Sequence, residues 1–126
     1  MAEIELLSTH FGDVLMEPSD PSTVVIEHFP LPPGFNRQFC ELLIDLGLMY
    51  PQLPPQDWYI SRGLRKYGRK STHYYEDGFA AKKFCEDGYA WYSFHLNEWR
   101  PHPYSIIKGD NLLTATGAFY NALKTD

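Results

Sequence analysis

Apolar residues fall into helical spacing at the start of the chain. In EIELLSTHFG, residues 3–12, Ile4, Leu7 and Phe11 recur at near-helical steps, which predicts a short amphipathic helix. MEPSDPS, residues 16–22, is a turn by composition. STVVIEHFPLP, residues 22–32, opens on a β-branched run and closes on prolines, as a strand would. NRQFCELLIDLG, residues 36–47, alternates. Cys40, Leu42, Ile44 and Leu46 share one face, and Arg37, Phe39, Glu41, Leu43 and Asp45 share the other. That period of two predicts a half-buried strand, with Cys40 as a small core residue. The prolines of YPQLPP, residues 50–55, stop it, and QDWYIS, residues 56–61, reads as a third short strand. Strands joined by short turns predict an antiparallel meander.

The pattern then breaks. Residues 62–90 hold four glycines and little periodicity, so they read mostly as loop, with a short helix near Phe79–Phe84. Order returns in GDNLLTATGAFYNALKTD, where Leu112, Leu113, Thr116, Phe119, Tyr120 and Leu123 form one stripe of a closing helix. Asp110 or Asn111 is placed to cap it. Helix, strands, long loop and helix make an α+β order, read as a single domain over residues 1–126.

Composition bounds the function. With 44% apolar and 16% aromatic residues, 126 residues bury a core without staples. No run of about 18 apolar residues exists, so no membrane span is expected. The acidic first residues lack the basic-then-apolar order of a signal peptide, which makes the cytoplasm the default. There Cys40 and Cys85 would stay reduced. A net charge of −5 argues against general nucleic-acid binding. The histidines form no HxxxH and the cysteines no CxxC, so no metal site is expected. The absence of GxGxxG and Walker patterns leaves a nucleotide cofactor without support.

The charge is unevenly spread. Seven of the 11 Lys and Arg residues lie between Arg62 and Lys83. Arg62, Arg65, Lys66, Arg69 and Lys70 would align on a helix, although Gly63 and Gly68 work against one. Such a cluster is either a solvated face or a docking surface for an acidic partner or for phosphates.

The sharpest chemical signal is WYSFHLNEWRP, residues 91–101. In an extended strand Trp91, Ser93 and His95 would share a face, with Tyr92 and Phe94 opposite. A serine hydroxyl is a weak nucleophile until a base takes its proton, and His95 is the nearest base in sequence. Side chains on one strand can splay too far for a direct bond, so His95 would then act through water. The plainer reading is a structural pair bonded to backbone, and S-x-H alone favours it. Cys85 sits in KKFCEDG, where Lys82 and Lys83 favour a thiolate while Glu86 and Asp87 oppose it.

Three segments together carry a resemblance. They are VVIEHFPLPPGFNRQFCELLIDLGLMYPQLPP at 24–55, WYSFHLNEWRP at 91–101, and the closing helix. Strand, turn, longer strand and Tyr50-Pro51-Gln52-Leu53-Pro54-Pro55 resemble the front half of a ubiquitin-conjugating enzyme, and Trp99-Arg100-Pro101 resembles that family's Trp-x-Pro. More narrowly, the W-x-S-x-H and W-R-P segment is similar to the bacterial conjugating-enzyme-like proteins of prokaryotic family E. The resemblance implies an antiparallel meander flanked by helices, with a long active-site loop. It also implies a carrier that accepts a ubiquitin-like protein from an activating enzyme and passes it to an amine, in a phage-defence setting. No cofactor is implied.

The family's usual nucleophile is a cysteine placed where this chain has Trp91. Ser93 stands six residues before Trp99, and Cys85 stands 14 before it. The usual His-Pro-Asn is absent, and His73-Tyr74-Tyr75 takes its place in the order. The resemblance therefore points to Ser93 as an oxyester carrier, with His95 as acid–base. Asn97 or backbone N–H groups would face the oxyanion, and Arg100 would tie down the loop. Alternatives are a thioester on Cys85, a non-catalytic module that binds the ubiquitin-like protein, and an unrelated hydrolase. The missing G-x-S-x-G weighs against the last.

Overall fold

The computed structural model describes residues 2–76 and 84–126. Helix α1 spans Ala2–Phe11 and is followed by strands β1 (Val14–Glu17), β2 (Asp20–Pro30), β3 (Phe39–Asp45) and β4 (Asp57–Ser61). Two further strands, β5 (Tyr74–Tyr75) and β6 (Tyr89–Tyr92), precede helix α2 (Leu112–Thr125). The six strands form one antiparallel sheet in the order β1-β2-β3-β4-β6-β5, so β6 inserts between β4 and the short edge strand β5. The expected meander is present in β2, β3 and β4, and the fold is α+β. The short helix expected near Phe79–Phe84 falls on residues outside the described set, apart from Phe84 itself.

Alternation puts side chains on two faces of this sheet. One face carries Val24, Ile26, Leu42, Ile44, Trp58, Ile60, Ala90 and Tyr92, packed against Leu7 of α1 and against Leu112, Phe119 and Leu123 of α2. The other carries Val25, Leu43 and Tyr59, packed with Phe84 and partly buried Leu15, Cys85, Tyr89 and Trp91. The predicted β3 pattern holds: Cys40, Leu42, Ile44 and Leu46 join the helix-side core, and Leu43 the other. In β2 the register shifts between Ile26 and Phe29. This bulge leaves Glu27 and His28 exposed and rephases the strand, so that Phe29 enters the core.

Strand β1 was not expected, because its residues run into a segment rich in Pro, Ser and Asp. The turn is tighter than that composition suggests: β1 ends at Glu17 and pairs with β2 already at Asp20. Helix α2 begins where predicted. Asn111 accepts from the Thr114 N–H while Thr114 Oγ1 accepts from the Asn111 N–H, so two of the unpaired donors at the helix start are satisfied reciprocally.

The two proline-containing motifs meet. Trp99 Nε1 donates to Pro51 O at 2.7 Å, and the Tyr50 and Trp99 rings lie 5.9 Å apart. The Tyr50–Pro51 peptide is cis. Tyr50 OH donates to Glu3 Oε1 at 2.6 Å, and the same oxygen accepts from the Leu112 N–H at 3.1 Å. One carboxylate from α1 thus joins the 50–55 loop to the start of α2. Burial, and then the Glu3 contact, raises the Tyr50 phenol above its ordinary range.

Candidate functional site

Ladder pairing ends at Tyr92, which sits between Trp58 on one side and Tyr74 on the other. The next N–H, that of Ser93, donates to His73 O at 2.8 Å, and the chain then leaves the sheet. With no ladder beyond this point, nothing enforces a period of two. Of the expected shared face, Ser93 and His95 come together while Trp91 does not join them. Trp91 turns to the far face of the sheet, stacks on Tyr75 at 5.3 Å and donates through Nε1 to Asp57 Oδ1 at 3.1 Å. Ser93 and His95 instead line a cavity of about 270 Å³ together with Tyr92 and Phe94. His73 closes one wall, and Ala122, Thr125 and Asp126 at the end of α2 close another. His95 is exposed, while Ser93 is half-buried.

Asp126 organises this cavity. Its Oδ1 lies 3.3 Å from His73 Nδ1, and its Oδ2 accepts from Ser71 Oγ and Tyr92 OH. Burial alone would raise this carboxyl. The hydrogen bonds donated by Ser71, Tyr92 and His73 outweigh burial and hold it below the usual range. The Tyr92 phenol is driven up, first by burial and then by the Asp126 carboxylate that accepts its hydrogen bond. Asp126 is placed by the end of α2, and that end is itself gripped. Lys66 Nζ donates to the carbonyls of Leu123, Lys124 and Asp126 at 3.0, 2.8 and 2.9 Å. A cation on the last carbonyls of a helix is favoured by charge and by hydrogen bonding together.

The other residues expected at a site are dispersed. Cys85 begins a turn of 3-10 helix, Cys85–Asp87, and packs with Val25, Leu43, Tyr59 and Phe84 on the sheet face away from α2. The sheet thus stands between Cys85 and Ser93. Cys40 is buried, and burial pushes its thiol up to about 12. Asn97 is exposed and does not line the cavity. The loop after Trp99 is tied by main chain, since Arg100 N donates to Asp110 Oδ2 at 2.7 Å and Arg100 O accepts from Asp110 N at 3.0 Å. The Arg100 side chain is exposed.

The basic cluster is not a helix face. Lys66 and Arg69 exchange backbone hydrogen bonds at 2.8 and 3.0 Å across Tyr67 and Gly68, whose φ angles are 51° and 77°. Two successive positive φ values make the tight hairpin turn that suits strand twist, and Gly68 takes its share without strain. The charges are then put to different uses. Arg62 donates to Glu76 O, and Arg65 pairs with the Glu76 carboxylate at 2.8 Å. Lys66 caps α2, while Arg69 and Lys70 are exposed on the rim of a second cavity of about 470 Å³. That cavity shares Tyr92 and Asp126 with the first.

Sequence reasoning singled out Ser93 and His95 but missed Asp126, Ser71 and Tyr92, and noted His73 only by its place in the order. Nothing local could have found them, because Asp126 lies 33 residues beyond Ser93 and His73 lies 20 before it. Among the described residues, one group has metal-ligand types in reach of one another: exposed Asp13, Glu27 and His28. It sits at the β1–β2 end of the sheet, away from β6. Among the described residues no helix is long and apolar enough to cross a membrane.

The chain belongs to prokaryotic E2 family E, whose family model matches residues 8–123. No curated protein and no solved structure shows a significant match. Membership supports a conjugating role of the E2 type in general, with a ubiquitin-like protein and an activating enzyme as the general classes of partner.

Proposed function

We propose that this chain is a conjugating-enzyme-like carrier that takes a ubiquitin-like protein from an activating enzyme as an oxyester on Ser93 and passes it to an amine. The observation that carries the proposal is the cavity at the end of β6, which holds the Ser93 hydroxyl, two imidazoles and a carboxylate together. An alkoxide is a poorer leaving group than a thiolate, so an oxyester carrier needs proton transfer that a cysteine carrier does not. This cavity contains groups for that task. Cys85 is packed on the opposite face of the sheet, away from this cavity.

The remaining roles follow from exposure. The Ser93 N–H is already donated to His73 O, so oxyanion donors must come from later in the loop. Asn97 would serve only if a docked partner folds residues 94–98 over the ester. His95, on the rim, would act on the incoming amine. Arg65 and Lys66 are engaged inside the fold, which leaves exposed Arg69, Lys70 and Arg100 to meet an acidic partner surface.

The test is intact mass after incubation with an activating enzyme, its processed ubiquitin-like protein and ATP. An adduct that resists thiol reductant, yields to hydroxide and vanishes in Ser93→Ala is expected. An adduct lost to reductant and absent in Cys85→Ala would instead establish a thioester carrier. Binding without any adduct would identify a non-catalytic module.

A further inference from the structure

We infer that His73 rather than His95 takes the proton of Ser93, and that Asp126 is the positioning residue that aims the His73 ring. This rests on the reading of Ser93 as an acyl acceptor.

The two histidines differ in how they are held. His73 is fixed at both ends: its carbonyl accepts the Ser93 N–H at 2.8 Å, and its ring Nδ1 lies 3.3 Å from Asp126 Oδ1. The first bond sets the two backbones side by side, and the second fixes the ring. Both rings are exposed and both residues lie outside the strands, but among the described residues no carboxylate contact comparable to that of His73 with Asp126 holds the His95 ring. A base that must meet a hydroxyl in one geometry is better supplied by the anchored ring.

The Asp126 carboxylate then selects the tautomer. An ionised carboxylate only accepts, so the nitrogen facing it must carry the hydrogen. With the proton on Nδ1, the lone pair of the neutral ring sits on Nε2, the nitrogen left for the cavity that Ser93 also lines. Asp126 is in turn held from behind, since Ser71 Oγ and Tyr92 OH both donate to Oδ2 and leave Oδ1 for His73. Among the described residues no hydrogen bond joins Ser93 Oγ to either ring. Such bonds commonly tighten only when substrate binds.

The step balances with a thioester as acyl donor. Ser93 Oγ bonds to the donor carbonyl carbon, the carbon–sulfur bond breaks, and the Oγ proton passes to His73 Nε2 and on to the departing thiolate. The products are a Ser93 ester, a free thiol and neutral His73. Asp126 keeps its charge throughout and balances the imidazolium formed in between.

The experiment uses the full chain and 4-nitrophenyl acetate, a small activated ester that needs no protein partner. Acetylation of Ser93 is followed by peptide mass, with release of 4-nitrophenol, and thermal melting checks each variant. His73→Gln is expected to slow Ser93 acetylation by about 100-fold or more. Asp126→Asn should slow it by at least about tenfold, and Asp126→Glu should recover part of the loss. Free imidazole should restore His73→Gly, which a purely structural histidine would not permit. The His73→Gln/Asp126→Asn pair should be no slower than His73→Gln alone, because Asp126 acts only through the ring.

Equal labelling of wild type and His73→Gln overturns the assignment, as does a loss that follows His95→Gln instead. No labelling of Ser93 in any form also overturns it. A further slowing by Asp126→Asn in the His73→Gln background removes Asp126 as a positioning residue. If the ester labels Ser93 through His73 while no ubiquitin-like protein is accepted, the carrier reading fails and the His73 assignment stands.

Discussion

Replacing Lys66 with methionine tests whether the basic segment is a structural device or a docking patch. Lys66 Nζ donates to three carbonyls at the end of α2, those of Leu123, Lys124 and Asp126. Methionine keeps the length of the stem and removes only the cation. A charge at a helix C-terminus contributes roughly 0.3–1 kcal/mol when exposed and up to about 2 kcal/mol when partly buried. Lys66 is half-buried, which selects the upper part of that range, while Lys124 and Asp126 are exposed, so water can replace part of what is lost. The expected cost is therefore about 1–2 kcal/mol, or a fall in melting temperature of roughly 3–8 °C for a chain of this size. The comparison is Arg69→Met, which removes the same charge from an exposed side chain of the same hairpin. Urea and thermal unfolding of the two variants isolate the capping contribution from the change in net charge. Lys66→Met should also slow Ser93 acetylation, because a frayed α2 end carries Asp126 away from His73. If Lys66→Met and Arg69→Met are equally stable, the three carbonyl contacts contribute nothing and the cap as described is wrong.

Three further outcomes follow from other contacts. The Glu76 carboxyl is held low by the Arg65 hydrogen bond, and Asp126 is held low by its three donors against burial. A depressed folded-state pKa contributes stability above the unfolded value, about 4, that is lost as pH falls through the folded value. Stability should thus decline below about pH 4, and Glu76→Gln/Asp126→Asn should be weaker at neutral pH with a flatter acid limb; an unchanged limb in urea melts would contradict both pairings. Iodoacetamide should modify half-buried Cys85 well before Cys40, whose thiol burial pushes to about 12. Equal rates in the native protein would mean that β3 opens readily. Trp99→Phe keeps a ring against Tyr50 but deletes the 2.7 Å bond to Pro51 O, at a cost of about 1 kcal/mol. A neutral substitution would mean that water already satisfies that carbonyl.

What the sequence made legible was whatever is coded by short-range period. Residues 40–46 announce their two faces by alternation, and Asn111 with Leu112–Leu123 announces a capped amphipathic helix, because each signal lies within a few residues of itself. β1 and β5 escaped because they are four and two residues long and gain their pairing from neighbours rather than from pattern. The helix spacing of the basic residues was overruled by Tyr67 and Gly68, whose positive φ values close a hairpin instead. The site divides along the same line. Ser93 stood out as a hydroxyl among aromatics, but its neighbours in space come from three places: His73 before β5, Tyr92 at the end of β6 and Asp126 at the end of α2. They meet because β6 inserts between β4 and β5, which brings the His73 carbonyl to the Ser93 N–H, while Phe119 stacks on Trp58 at 4.8 Å and lays α2 across the same sheet face. A one-dimensional reading therefore preferred His95, the imidazole nearest along the chain, over His73, the imidazole that the sheet and the capped helix hold in place. Strand order and helix placement, which depend on pairings between distant residues, decide which imidazole is anchored beside Ser93, and this is why Ser93 and His95 could be nominated from sequence while the His73–Asp126 pair could not.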